Sequence, residues 1–358
     1  MKFHRKLAWL TTLSAVLAVI ASSPPARAGL LTIDADTSGI TGFGSLTAAD
    51  VDSAINTAVN TIDGLYTTGN VAGNVTLNVT FTDKNAGNTY LEQTTQFYTS
   101  GQGGNPAPTT YANYMAALTA DSKANPGNTS LATAVANLPS GNQGPMILNY
   151  AQALLLSLYG GGINLPTSGS TININSFFPF GTSQPVAASV YDMVGGLEHE
   201  LDEVIGGGGA GSSLNNFNGL GFGATDLYRY ACGTTTPSYT NSSTVNSCLS
   251  INGGATDLVY FNQNSGGDFG DFAGNMADGS TGSLYQCGLV GGAGSGQLIQ
   301  NAFNCKGPDE FYTSASPEVT MEAAIGWDPI PEPGTLALLG TSLCGIGCFR
   351  RWRRRAER

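Results

Sequence analysis

The chain has 358 residues, of which 49 are glycine and only 11% are charged, whereas a typical soluble domain is about 25% charged and about 7% glycine. Residues 29–330 contain four basic and 23 acidic side chains, which gives a net charge of −19. Because nucleic acid is bound through positively charged surfaces, this charge excludes a DNA- or RNA-binding protein. Hydrophobic residues make up 41% of the chain, which is enough to form a core.

The first 28 residues have the three parts of a secretory signal peptide. Lys2, Arg5 and Lys6 form a basic start, residues 7–20 are apolar, and residues 26–28 read Ala-Arg-Ala, a small-x-small cleavage site. The apolar run is short for a membrane span. We therefore expect the chain to be exported and cleaved after Ala28.

Residues 29–330 are predicted to form one exported domain of the α+β class. The apolar spacing predicts, in chain order, a helix at 48–65, a strand at 74–82, short helices at 111–118 and 130–138, a helix or buried strand at 147–159, a strand at 171–178, a helix at 185–205 and short strands at 258–261 and 284–289. Beyond residue 205, Gly, Asn, Ser and Thr dominate. The C-terminal half is therefore expected to be Gly-rich, with loops over short strands.

The C-terminus has three parts in a fixed order. Pro331, Glu332 and Pro333 form a polar break, residues 334–349 are apolar, and an arginine cluster occupies 350–355. The apolar part would span about 24 Å as a helix, and the flanking Trp352 and arginines could snorkel to reach across a bilayer. The arrangement resembles a PEP-CTERM sorting signal. That resemblance implies transient membrane anchoring through a C-terminal transmembrane helix, cleavage near residues 331–333 by an exosortase-type enzyme, and delivery to the cell surface or beyond.

Four cysteines lie in the exported part, namely Cys232, Cys248, Cys287 and Cys305. Their spacing is not C-x-x-C, which argues against a zinc ribbon. In an oxidising compartment they are expected to form two disulfides. Three pairings are possible, and we favour the pairing of neighbours, Cys232 with Cys248 and Cys287 with Cys305.

The predicted helix 185–205 carries the only histidine that remains after signal cleavage. At about 100° per residue, His199 and Glu203 lie one turn apart on one face, with Asp192 on the same face. Two donors at i and i+4 can share a metal ion. Glu200 lies beside them, where a base that activates water would lie. The alternative is an exposed acidic helix whose histidine is incidental.

Residues 191–206 read Y-D-x-V-G-x-x-x-H-E-x-x-E-V-x-G, which resembles the active-site helix of metzincin-like zinc metallopeptidases. The pattern is most similar to a bacterial family of metalloproteases that carry a PEP-CTERM signal. Further similar segments lie at 226–230, 250–254, 260–262, 266–272 and 323–328. The resemblance implies a zincin/metzincin-like core and hydrolysis of a peptide or protein substrate, with His199 as a metal ligand and Glu200 as the general base.

The sequence departs from better-known zinc peptidases at position 203. Glu203 stands where a second histidine is usual, and no later histidine completes the site. The expected ligands are therefore His199, Glu203 and Asp226. Zinc accepts carboxylate oxygen, but a more anionic site is less selective for zinc over manganese or calcium.

Two further possibilities stay open from the sequence alone. Asp268, Asp271 and Asp278 could offer oxygen atoms to calcium, or they could cap a Gly-rich turn. Arg229 is the only arginine of the exported part; it could clamp a carboxylate near the site or pair with a structural aspartate. The competing function is a non-catalytic structural or binding protein of the extracellular matrix or exopolysaccharide on the same fold.

Overall fold

The computed structural model describes residues 29–69, 73–95, 109–141, 143–158, 169–214, 221–242, 244–276, 298–302, 306–307, 312–313 and 316–330. The strands are β1 (Leu31–Gly39), β2 (Gly42–Phe43), β3 (Leu46–Thr47), β4 (Tyr66–Thr67), β5 (Val75–Lys84), β6 (Glu92–Thr95), β7 (Thr109–Thr110), β8 (Pro145–Met146), β9 (Ser170–Asn175), β10 (Phe180–Gly181), β11 (Tyr191–Asp192), β12 (Arg229–Ala231), β13 (Ser247–Leu249), β14 (Val259–Phe261), β15 (Phe272–Met276) and β16 (Asp328–Pro329). The helices are α1 (Ala48–Leu65), α2 (Tyr111–Ala124), α3 (Thr129–Asn137), α4 (Tyr150–Leu155), α5 (Met193–Ile205) and α6 (Pro317–Ala324), with short 3-10 turns at Gly208–Gly211 and Thr225–Tyr228. This mixture confirms the α+β class.

Several predictions from the sequence fall on residues outside the described ranges. They are the signal peptide at 1–28, Asp278, the strand at 284–289, the pair Cys287 and Cys305, and the terminal segment from Pro331 onward.

The larger sheet has the strand order β1-β5-β9-β6. β1, β5 and β9 run parallel, and β6 pairs antiparallel with β9 and is the last strand of this sheet among the described residues. In β5, Val75, Leu77, Val79 and Phe81 alternate into the core, as their spacing predicted. The sheet is therefore mixed, and its antiparallel edge strand lies beside α5.

Helix α1 lies between β1 and β5 in the chain and packs against α5. Its start is fixed by a capping box between Thr47 and Asp50, and its apolar stripe, which includes Val51 and Ile55, is fully buried. The structure confirms this helix over the predicted range.

The predicted helix 185–205 is wrong in its first third, because the helix begins only at Met193. Asp192 is its N-cap, and its Oδ1 atom accepts hydrogen bonds from the backbone N–H groups of Val194 at 3.0 Å and Gly195 at 3.2 Å. An aspartate at this position satisfies donors that a helix leaves open, and thereby starts the helix there. Asp192 therefore caps the helix and is not part of the group of donor atoms around His199. The helix ends, as the glycine run predicted, at Gly206, whose φ is +112°.

The second half contains a four-stranded antiparallel sheet, in the order β12-β13-β14-β15. Cys248 of β13 forms a disulfide with Cys232, which directly follows β12. This confirms the first predicted pairing. Trp327 lies near the end of the described residues and is fully buried. It donates its indole N–H to the carbonyl oxygen of Ile205 at 3.0 Å. This hydrogen bond ties the C-terminal segment to the last residue of α5.

Stability is predicted to fall as the pH rises, because α5 buries Glu198. Burial raises the pKa of this carboxyl from 4.5 to about 7, although a hydrogen bond from Thr61 opposes the shift. The folded protein then binds this proton more tightly than the unfolded chain does, so the associated stability is complete below pH 4.5 and is lost as the pH rises through 7. The loss is about 3 kcal/mol. Urea unfolding at pH 5 and pH 8 should show this slope in the wild type and a flatter one in Glu198→Gln; equal slopes would contradict the assignment.

Candidate metal centre

Helix α5 is buried on nearly every side. The four acidic residues Glu198, Glu200, Asp202 and Glu203 are each no more than 7% exposed, and the side chain of His199 is 13% exposed. The alternative of an exposed acidic helix is therefore wrong, because its acidic side chains are buried. Buried carboxyl groups at this density need a compensating partner.

The ring of His199 is held in one orientation. Its Nδ1 atom lies 2.9 Å from the carbonyl oxygen of Ile299, and because a carbonyl oxygen only accepts, Nδ1 carries the proton. In the neutral ring Nε2 then presents a lone pair. A backbone carbonyl in this position is a common outer partner of metal-binding histidines.

Two carboxylates face that Nε2 atom. Oδ2 of Asp271 lies 3.7 Å away and Oε1 of Glu203 lies 4.0 Å away. The three ligand atoms all lie within 4.8 Å of one another. With metal–ligand bonds of about 2.0–2.2 Å, tetrahedral donors stand roughly 3.4 Å apart. Because the observed separations are 3.7 Å, 4.0 Å and at most 4.8 Å, these residues fit a divalent cation after side-chain shifts of up to about 1 Å.

The third ligand expected from the sequence, Asp226, is not part of this cluster. Its oxygen atoms accept hydrogen bonds from Ser212 Oγ at 2.6 Å, Ser213 N at 2.8 Å and Gly223 N at 2.9 Å. Asp226 thus ties two loops together. Asp271 takes the place beside His199, although the sequence suggested it only as part of a calcium loop or a turn.

Arg229 holds the loop that brings Asp271 to the helix. Its guanidinium is fully buried, donates from Nη1 to the carbonyl of Phe269 and lies 4.2 Å from the ring centroid of Phe261. Burial lowers the pKa of Arg229 to about 10, and the charge of Asp226 opposes that shift. Neither ion pair expected from the sequence is seen among the described residues; Arg229 contacts a backbone carbonyl and an aromatic ring instead.

Glycines after α5 allow the carboxylates to approach the backbone closely. A Cβ atom at Gly209 would lie 2.5 Å from Glu203 Oε1 and 2.6 Å from Asp268 Oδ2, closer than real contacts allow. Burial raises the pKa of both Glu203 and Asp271, and hydrogen bonding to the Gly209 backbone partly opposes this. A cation among them would offset the same buried charge.

Glu200 lies in the same cleft but outside the three-residue cluster. It is 6% exposed, and its Oε2 atom is buried with no hydrogen-bond partner among the described residues. Burial raises the pKa of Glu200, while the neighbouring His199 and the hydroxyl of Thr94 oppose the shift. A carboxyl group with a free oxygen beside a metal site is suited to carry a proton.

The cluster lies in a cleft of about 490 Å³. One wall is β6 with the segment that precedes it, and aromatic rings of Phe178 and Tyr191 form another part. The floor and far wall are formed by Gly196, His199, Glu200, Glu203, Gly266, Gly267, Asp268, Asp271, Asn301 and Ala302. The cleft therefore combines an edge strand, apolar surface and the candidate ligands.

The PEP-CTERM protein-sorting motif matches residues 329–355. The chain carries a PEP-CTERM sorting signal. Such signals are recognised by exosortase-type sorting enzymes, so the protein is exported and sorted to the surface. No curated protein and no solved structure matches the chain.

The matched sorting motif begins inside the folded part of the chain. Pro329, the first matched residue, belongs to β16, which pairs with β4, and the backbone N–H of Ile330 donates to the carbonyl of Leu65 at 2.8 Å. No helix in the described ranges is long and apolar enough to cross a bilayer. The apolar segment predicted at 334–349 lies beyond them.

Proposed function

We propose that this exported protein is a metal-dependent peptidase, with a zincin-like core. The observation that carries the proposal is the convergence of His199 Nε2, Glu203 Oε1 and Asp271 Oδ2 at one point of a cleft that also contains Glu200. Before processing, the C-terminal apolar segment anchors the protein to the membrane.

The cofactor is a divalent cation held by these three side chains. When bound, it supplies Lewis acidity for the substrate carbonyl and lowers the pKa of water. The resemblance to metzincin-like peptidases implies zinc, with manganese or calcium as alternatives. Two carboxylates and one imidazole make a donor set that is harder than the histidine-rich sites typical of zinc.

Glu200 acts as the general base and later returns the proton to the leaving amine. Its unpartnered oxygen and its place in the cleft support this role. The ring of the preceding residue, His199, is oriented by its hydrogen bond to the carbonyl of Ile299. Glu200 and the ring therefore keep a fixed relative position on one helix.

A peptide substrate is supported by strand β6. This strand ends the sheet among the described residues, and Glu92, Gln93 and Thr94 line the cleft. An extended peptide can add to such an edge through backbone hydrogen bonds. It would then pass His199 and Glu200, which line the same cleft.

The test uses the full chain, purified with its bound metal. We expect about one divalent cation per chain, and hydrolysis of unfolded protein substrates that is lost on chelation and restored by adding metal. A protein that binds metal without any turnover would favour the non-catalytic matrix protein. A chain that binds no metal would contradict the proposed peptidase.

A further inference from the structure

Gln300 reaches the same point as the three candidate ligands. Its amide Nε2 atom lies 3.2 Å from His199 Nε2 and 3.0 Å from Asp271 Oδ1. Its backbone is fixed on both sides, because its N–H donates to Glu318 Oε1 at 3.1 Å and its carbonyl accepts from Phe272 N at 2.7 Å. Gln300 is fully buried, so the amide is confined to this position.

The other end of this amide has no partner. Oε1 of Gln300 is buried without a hydrogen bond among the described residues. Both ends of a carboxamide have nearly the same size, so turning the group end for end places Oε1 where Nε2 stands. That position is 3.2 Å from Nε2 of His199, which is a normal spacing for neighbouring ligands of one ion. It is also 3.0 Å from Oδ1 of Asp271, the carboxylate whose Oδ2 atom faces the same histidine.

Gly208 leaves room for that turn. Its φ is +47°, and a Cβ atom there would lie 2.0 Å from Gln300 Nε2. Any larger residue would collide with the amide. The glycine run that ends α5 therefore leaves space for both the amide and the neighbouring carboxylates.

We infer that Gln300 Oε1 is a fourth ligand of the proposed cation, beside His199, Glu203 and Asp271, and that the site accommodates a six-coordinate cation such as Mn²⁺. This inference rests on the proposed metal site and defines its ligand set. With the cation present, the lone pairs of His199 and Asp271 are directed at the ion, and the oxygen end of the amide becomes the favoured one. Amide and carboxylate oxygens are hard ligands.

The number of protein ligands also favours a six-coordinate cation such as Mn²⁺. Four protein donors would complete a tetrahedral zinc site and leave no position for substrate, as in structural zinc sites. On an octahedral ion, four donors leave two positions open. A four-ligand site is therefore compatible with hydrolysis only if the metal takes more than four ligands.

The test compares Gln300→Met and Gln300→Glu with the wild type in the full chain. Isothermal titration with MnCl₂ and with ZnCl₂ gives the affinities, and Mn²⁺ electron paramagnetic resonance reports the ligand set. Gln300→Met, which keeps the volume but has no oxygen, should weaken Mn²⁺ binding by about tenfold or more and should change Zn²⁺ binding less. Gln300→Glu, which keeps an oxygen at this place, should retain the Mn²⁺ affinity.

The matched control is Gln263→Met, which removes a buried amide next to Arg229 rather than next to His199. It should leave both affinities unchanged. Unaltered Mn²⁺ affinity in a folded Gln300→Met protein, or a Zn²⁺ affinity that falls as much as the Mn²⁺ affinity, would overturn the inference and leave the peptidase proposal standing. A wild type that binds Mn²⁺ as described but hydrolyses nothing would overturn the peptidase proposal alone.

Discussion

His199→Ala is expected to abolish metal binding, with the affinity for the cation reduced more than about 100-fold. His199 supplies the only nitrogen donor of the cluster, and its ring is already oriented by the Ile299 carbonyl. The substitution removes that donor and leaves two buried carboxylates to repel each other. Metal content per folded chain and titration calorimetry measure the loss.

Asp226→Asn and Asp271→Asn separate the structure-based ligand set from the one expected from sequence. Asp271→Asn should weaken metal binding, because its Oδ2 atom faces His199 Nε2 at 3.7 Å. Asp226→Asn should lower stability, since four donors depend on its oxygens, yet leave the affinity of the folded fraction unchanged. If Asp226→Asn weakened metal binding and Asp271→Asn did not, Asp226 would be the ligand and Asp271 would not.

The elements with strong periodicity were predictable from the sequence. Helix α1 and strand β5 carry unbroken apolar patterns, and each pattern reports burial against one face of the core. Strand β6 was missed because Glu92, Gln93, Thr94 and Thr95 are all polar. It is a strand because it pairs with β9, which is a long-range property that no local pattern reports.

Only the candidate site residues that lie on one helix were predictable from the sequence. His199, Glu200 and Glu203 are linked by helical spacing, and the sequence identified all three. Asp271 lies 72 positions beyond His199 and joins it only because β15 docks next to Gln300. Gln300 itself lies 101 positions from His199, in a stretch with no recognisable motif. Pairing between distant segments decides these positions, and a single sequence does not record it.

Glu200→Gln is expected to lower the rate of peptide hydrolysis by about 10²–10⁴-fold, the usual contribution of a general base. The glutamine has nearly the same shape, so the fold and the metal content should stay as they are. Glu200 is not one of the three side chains whose candidate ligand atoms converge, which are His199, Glu203 and Asp271. The measurement is kcat and KM on a quenched fluorescent peptide, together with metal content on the same preparation.

The matched control for this substitution is Glu198→Gln on the same helix. Glu198 is as buried as Glu200, at 6% exposure, but it accepts a hydrogen bond from Thr61 of α1 and does not line the cleft. Its substitution should alter the pH dependence of stability and leave kcat within about threefold of the wild type. If Glu200→Gln lost metal and activity together, Glu200 would be a ligand or a structural residue. If it kept full activity, the proton would have to be carried by another group in the cleft, of which Asp268 and Glu92 are the remaining carboxylates outside the ligand set.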